Sequence, residues 1–198
     1  MIALIDYGAG NLTSVRKGFA AAGAELVTPD EPDALEGASG IVVPGVGHFS
    51  ATASLDGPWR DTIARLVRRG TPLLGICLGL QWLFEGSDEA PGQPGLGVLR
   101  GTCVRLPPGR KIPHVGWNVL ATRTSRLLSD VPGGTYAYFT HSYAAPVTDA
   151  ATAVTEYGMP FASAVEQQNV YGVQFHPEKS GPAGVHILRN FVALTRRD

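Results

Sequence analysis

The chain has 198 residues and a formal net charge of −1, enough length for one domain (residues 1–198) with a sizeable core. Hydrophobic residues make up 44% and charged residues 17%, the balance of an ordinary soluble globular protein. The near-zero charge excludes the basic footprint of a nucleic-acid or anionic-membrane binder, and no apolar run reaches the ~18 residues that span a bilayer, so neither partner is expected. Met1 leads straight into Ile2-Ala3-Leu4-Ile5, too short and uncharged for a signal peptide. Cys77 and Cys103 are the only cysteines and make no disulfide framework, so a reducing, cytoplasmic setting is expected. Neither has a metal-type spacing. His48, His114, His141, His176 and His186 form no His-x-x-x-His site, so no metal is expected. No cofactor is expected.

In chain order, residues 2–5 read as a buried strand. Asp6-Tyr7-Gly8-Ala9-Gly10-Asn11 is a glycine-rich turn, a helix follows over about 12–22, and Gly23 stops it. Strand, Gly-x-Gly and helix suggest a dinucleotide fingerprint, but Thr13 stands where its third glycine belongs. Residues 25–28 predict a short strand, 29–38 a polar loop or short helix, and 41–43 a buried strand. Pro44-Gly45-Val46-Gly47 comes next, either an anion-binding loop or an ordinary strand-to-helix turn. A helix closes over 63–69. The rhythm so far is that of a doubly wound parallel sheet. Residues 86–95 form a Pro/Gly-rich connection. From 98 to 175 short β-like runs dominate (102–106, 117–120, 135–139, 151–155, 163–167 and 170–175), predicting an antiparallel extension. A helix over about 182–195 ends the chain, with its apolar residues largely on one face.

The chemistry concentrates at Leu73-Leu74-Gly75-Ile76-Cys77-Leu78-Gly79-Leu80-Gln81. An apolar run ends in a cysteine with a glycine two residues to either side, the layout of a nucleophile elbow whose tight, strained turn wants glycines. The turn brings the sulfur to a helix N-terminus, which favours negative charge, and leaves it partly exposed. The Leu78 N–H becomes an oxyanion donor. Gln81 and Glu85 are expected on the same helical face as Cys77. A lone cysteine at a strand end is more often structural. Against that stands Gln174-Phe175-His176-Pro177-Glu178, which supplies a base and an orienting carboxylate in one short segment. Of the five histidines only His176 has a carboxylate at i+2.

With these motifs in place, Gly75-Ile76-Cys77-Leu78-Gly79-Leu80-Gln81 and His176-Pro177-Glu178 resemble the class I (triad) glutamine amidotransferases. Asp6-Tyr7-Gly8-Ala9-Gly10-Asn11, Pro44-Gly45-Val46-Gly47, Pro113-His114-Val115-Gly116-Trp117-Asn118 and Thr140-His141-Ser142-Tyr143 resemble the branch that serves imidazole glycerol phosphate synthases. The resemblance implies an α/β, flavodoxin-like, doubly wound, mainly parallel sheet with an antiparallel extension. It implies hydrolysis of L-glutamine to glutamate and ammonia through a Cys77 thioester, with His176 as base and Glu178 as its orienter. It makes Gly45, Val46 and Leu78 the oxyanion group, and Gln81, Glu89, His141, Ser142 and Tyr143 the glutamine-binding set. For Tyr143 core packing is an equal alternative. It implies a heterodimer with a (β/α)8 barrel cyclase subunit that takes the ammonia for histidine biosynthesis, with Asn11, Trp117 and Lys179 at the interface or gate. Rival readings are the glutaminase subunit of another synthase (pyridoxal phosphate, anthranilate or aminodeoxychorismate), a stand-alone γ-glutamyl hydrolase or cysteine peptidase, and a non-enzymatic binding module. The intact Cys77, His176 and Glu178 argue against the last.

Overall fold

The structure, a computed structural model, describes residues 1–196. The elements in chain order are β1 (Ile2–Leu4), α1 (Leu12–Ala21), β2 (Leu26–Val27), β3 (Gly40–Val43), α2 (Pro58–Arg68), β4 (Leu73–Ile76) and α3 (Leu78–Leu83). Then follow β5 (Gly86–Ser87), β6 (Thr102–Arg105), β7 (His114–Thr122), β8 (Thr135–His141), β9 (Tyr143–Ala144), β10 (Ala151–Glu156), β11 (Pro160–Gln167), β12 (Val170–Val173) and α4 (Gly181–Leu194). The large sheet has nine strands in the order β2-β1-β3-β4-β12-β11-β10-β7-β8. Pairings from β2 to β12 are parallel and those from β12 to β8 antiparallel. The expected parallel sheet with an antiparallel extension is what forms. A small sheet, β5-β6-β9, flanks it.

The alternation of the buried strands decides which helix packs where. Leu74 and Ile76 of β4 join Phe19 of α1 and Leu188 and Phe191 of α4 in one cluster, where the Phe19 and Phe191 rings meet edge to face at 6.3 Å. Leu73 faces the opposite way and packs with Ile63, Leu66 and Val67 of α2 and Leu80 and Leu83 of α3. The sheet is therefore covered on both faces, as parallel strands with continuous apolar runs require.

Several expected boundaries move. The helix expected over 63–69 begins at Pro58, because Gly57 at φ +64 turns the chain and Pro58 suits a first helical position. The run at 117–120 lengthens to His114–Thr122, because β8 pairs with it from His114↔His141 through Leu120↔Thr135. Helix α3 stops at Leu83, so Glu85 does not share a helical face with Cys77; its carboxylate accepts instead from the Gly101 N–H at 2.8 Å. Register then places the site. Val173 of β12 lies opposite Ile76 of β4, so the turns that carry Cys77 and His176 leave adjacent strands at the same end of the sheet. In doubly wound sheets, ligands sit in that crevice beyond the carboxyl ends of the strands.

Candidate active site

Cys77 occupies the cap position of α3 with φ +53 and ψ −105, a conformation that non-glycine residues avoid. The expected strain thus falls on the cysteine itself. Gly75 and Gly79 serve close approach instead: a Cβ on Gly75 would lie 2.5 Å from the Gly79 carbonyl oxygen, and one on Gly79 would lie 1.9 Å from that of Val43. The Cys77 N–H donates to Val173 O at 2.8 Å, which ties the elbow to β12. The residue is 4% exposed, so the partly exposed sulfur expected from the elbow is instead buried at the floor of a cavity.

His176 is held by its backbone on both sides. Its N–H donates to Tyr138 O at 2.8 Å. Its carbonyl accepts from Ser180 Oγ at 2.7 Å, and that hydroxyl oxygen accepts the Tyr138 N–H at 3.0 Å. Ser180, unremarked in the sequence, therefore clamps the turn to the edge strand β8. His176 Nδ1 and Glu178 Oε1 are 2.8 Å apart, with side chains only 3% and 2% exposed. The two meet across a short 3-10 turn, Pro177–Lys179. Burial opposes charge on the ring, but the Cys77 sulfur and the Glu178 carboxylate outweigh it and push His176 up to about 10. The sulfur is close enough for that, yet Nε2 makes no hydrogen bond of ordinary length at rest. The arrangement can hold a thiolate against an imidazolium, the charge distribution a cysteine nucleophile needs.

The other histidines are occupied. His48 Nδ1 accepts the Ser50 N–H at 3.2 Å, and His186 Nε2 lies 2.9 Å from Ser129 O. Burial pulls His141 down to about 3 and, with Arg110 nearby, His114 down to about 4, so both are neutral at pH 7. Cys103 is fully buried, and burial pushes its thiol far upward.

The residues expected to form the oxyanion group lie together but do not present both N–H donors to the cavity. The Leu78 N–H, expected as an oxyanion donor, points at the Gly45 carbonyl oxygen 3.4 Å away. In a trans peptide the N–H lies opposite the carbonyl, so the Val46 N–H faces away from Leu78. Gly45 is not at positive φ; a Cβ there would lie 2.2 Å from Tyr7 Oη and 2.7 Å from Leu78 Cβ. The residue at positive φ is Gly47, at +103. Tyr7 Oη donates to Pro44 O at 2.7 Å and fixes the start of the loop.

A cavity of about 260 Å³ opens above Cys77, lined by Gly47, Leu78, Gln81, Glu89, Pro113, Thr140, His141, Ser142 and Tyr143. Every residue expected to bind glutamine is on that lining. Glu89 Oε2 accepts the Phe49 N–H at 2.8 Å. Gln81 Nε2 donates to Tyr143 O at 2.9 Å and to Gln174 Oε1 at 3.2 Å, leaving its own oxygen to offer a substrate. Among the interface residues, Trp117 is 55% exposed and its ring meets that of Tyr138 at 6.0 Å, while Lys179 Nζ lies 5.9 Å over the other ring of that pair, Tyr138. Asn11 is the cap of α1, accepting the Ser14 N–H at 3.1 Å, one residue after Gly10, which lies close to Pro44 and Gly45.

This fold, with a strained cysteine elbow facing a buried His–Glu pair, defines a class of enzyme, and the sequence agrees: residues 3–194 match the family described as glutamine amidotransferase class-I. The chain belongs to that family and is a glutamine amidotransferase, an enzyme with glutaminase activity. It is similar to the imidazole glycerol phosphate synthase subunit HisH of Methanothermobacter thermautotrophicus, 47% identical over 99% of this chain and 100% of the relative. The subunit of the same name from Thermococcus kodakarensis is 49% identical over 98% of this chain and 100% of the relative. A solved glutamine amidotransferase shares the fold, with a TM-score of 0.77 at 22% identity over 98% of this chain and 99% of that one.

Proposed function

We propose that the chain is the glutaminase subunit of an imidazole glycerol phosphate synthase, working in a heterodimer with a (β/α)8 barrel cyclase subunit. The observation that carries this reading is its near-full-length identity to subunits of that name. Cys77 Sγ attacks the γ-carbonyl carbon of L-glutamine. The bond to nitrogen breaks as His176 Nε2 gives its proton to departing ammonia, leaving a γ-glutamyl thioester. His176 then takes a proton from water, which adds to the thioester and releases glutamate and the Cys77 sulfur. Glu178 keeps the Nδ1 proton and the ring orientation throughout. Glu89 and the Gln81 oxygen suit the substrate's α-ammonium, and the His141-Ser142-Tyr143 segment suits its carboxylate.

In this reading the oxyanion group is also the regulator. At rest the Gly45 carbonyl takes up the Leu78 N–H, so one donor is engaged and the second, the Val46 N–H, is turned away. Rotation of the Gly45–Val46 peptide frees the first and presents the second. One oxyanion donor is worth about 10²–10³ in turnover. Partner docking at Trp117 and Lys179, with Asn11 at the edge of the gate, favours the rotated state and couples ammonia release to demand. The test is glutamine hydrolysis by the chain alone, with the cyclase barrel, and with barrel plus acceptor ligand. Turnover should rise at each step with an imidazole glycerol phosphate synthase barrel and with no other synthase subunit. Equal rates in all three mixtures refute the gate, and stimulation by another synthase's partner refutes the assignment.

A further inference from the structure

We propose that Gln174 is a catalytic residue whose side-chain amide donates a hydrogen bond to the Cys77 sulfur and holds it as the thiolate. The proposal rests on Cys77 being the nucleophile. Gln174 is fully buried, two residues before His176, and a buried amide must find partners at both ends. Its Nε2 lies 3.6 Å from Cys77 Sγ and its Oε1 accepts from Gln81 Nε2 at 3.2 Å.

The direction of this amide is fixed by a carbonyl two links away. Tyr143 O can only accept, and it receives Gln81 Nε2 at 2.9 Å and His141 Nδ1 at 2.9 Å. Reversing Gln81 would set oxygen against oxygen, so its nitrogen stays at Tyr143. The second hydrogen of that nitrogen then needs an acceptor, which sets the Gln174 oxygen towards Gln81 and its N–H group towards the sulfur. The other branch obeys the same rule. With Nδ1 of His141 protonated, its Nε2 accepts from His114 Nδ1 at 3.0 Å, and His114 Nε2 faces Asn118 Nδ2 at 3.4 Å. Both rings are neutral, as this chain of donors requires.

At the sulfur, the Gln174 donor at 3.6 Å is nearer than the backbone acceptor a thiol could use, Thr140 O at 3.8 Å. A donor to sulfur strengthens when the sulfur is charged. The titratable groups that face Cys77 are His176 and Glu178 from the turn after β12 and Tyr7 from the loop after β1. His141, at the end of β8, and Glu89 line the same cavity. Gln174 adds a neutral donor to this set, so it favours the anion without competing for the His176 proton.

The experiment is alkylation of the full chain by iodoacetamide across pH 4 to 9, with the site read by mass spectrometry. Gln174→Glu keeps the shape and the acceptor for Gln81 but turns a carboxylate oxygen on the sulfur; Gln174→Met removes both polar ends. Cys77 alkylation at pH 6 should fall about 10-fold or more in each, further in Gln174→Glu, and the pH midpoint should rise. In the holoenzyme, kcat for glutamine should fall with KM unchanged and ammonia-dependent synthesis intact. Wild-type alkylation profiles in the two folded variants overturn the proposal. If neither folds, the wild-type side-chain amide signals of Gln174 decide it by NMR. They should shift as Cys77 titrates, and signals that stay fixed overturn it. Label on Cys103 instead of Cys77 overturns the nucleophile assignment and this proposal together, whereas label on Cys77 with unchanged variants overturns this proposal alone.

Discussion

Gly18 lies in the middle of α1, far from the cavity in sequence, yet it packs beside the backbone and Cβ of Glu178, the residue proposed to orient His176. A Cβ placed there would lie 2.9 Å from Leu188 Cδ1, 3.0 Å from Glu178 Cβ and 3.3 Å from Glu178 Cα. Carbon atoms prefer about 3.5–4.0 Å, so Gly18→Ala demands roughly 0.5 Å of movement. The Leu188 methyl can rotate away, but Glu178 cannot give alone. Its turn is pinned from the other side by Gly184, where an added Cβ would lie 1.9 Å from Pro177 O. The displacement therefore passes to the His176–Glu178 contact, now 2.8 Å. A misplacement of 1 Å can cost about 10²-fold, so half of that predicts a loss of roughly 10-fold in kcat for glutamine. Stability moves less: alanine gains about 1 kcal/mol of helix propensity and overpacking costs about 1–3. The assay is glutamine turnover in the holoenzyme beside the melting temperature and ammonia-dependent synthesis. Wild-type kcat in a folded Gly18→Ala protein would show that the helix does not set the carboxylate.

Three further outcomes follow from the site. A diazo-ketone analogue of glutamine should label Cys77 and leave Cys103 untouched, and Cys77→Ala should not hydrolyse glutamine; mass spectrometry and a glutaminase assay check both. His176→Ala should abolish glutamine turnover by several orders of magnitude and Glu178→Gln should cost less, each retaining ammonia-dependent synthesis in the holoenzyme; loss of that synthesis in Glu178→Gln would signal a folding or docking defect. Stability should peak near neutral pH. His114 and His141 resist protonation until about 4 and 3, so below pH 6.5 the unfolded chain binds more protons and stability falls with pH. His176 stays protonated to about 10 because the Cys77 sulfur and Glu178 face it; the ion pair holds one proton, as an unfolded cysteine and histidine do together until the cysteine ionises at about 8.5, so stability falls as pH rises only beyond about 8.5. Denaturant titrations at pH 5.5, 7.5 and 10 read both slopes, and His176→Ala should flatten the alkaline one.

Much of the architecture is written locally. Buried strands announce themselves as apolar runs at 2–5, 41–43 and 73–76, and the shift to short β-like runs after residue 98 marks where the sheet turns antiparallel. Cys77 and the His176-Pro177-Glu178 segment were readable because each motif spans a few residues. What stayed hidden depends on contacts between distant segments. Helix α3 is too short to carry Glu85 because the chain must turn back to Gly101. Gly18, Ser180 and Gln174 look ordinary in sequence, since their importance lies in what touches them from elsewhere. The reason for Gly45 was also hidden: steric closeness to Tyr7 and Leu78, and not positive φ, excludes a side chain there. Replacing Gly45 by valine would therefore strain the fold as well as the loop.

The site divides into parts tied to the central sheet by several hydrogen bonds and a loop tied by few. Cys77 is tied to β12 through Val173 O, and His176 to β8 through Tyr138 and Ser180, so the proposed nucleophile and base are both anchored to the central sheet. The loop over residues 44–47 is different. Tyr7 fixes its first carbonyl, but beyond that point its hold on the site is the single 3.4 Å contact from Leu78, and Val46 is 38% exposed. A contact that long is at the weak end of hydrogen bonding, so breaking it costs little. Rotating one peptide converts an acceptor facing the site into a donor, which reverses the sign of the local dipole without disturbing the triad. In the proposed reading a partner need not rebuild the active site to control it. It would need only to favour one orientation of the Gly45–Val46 peptide, whose carbonyl is held by one long hydrogen bond.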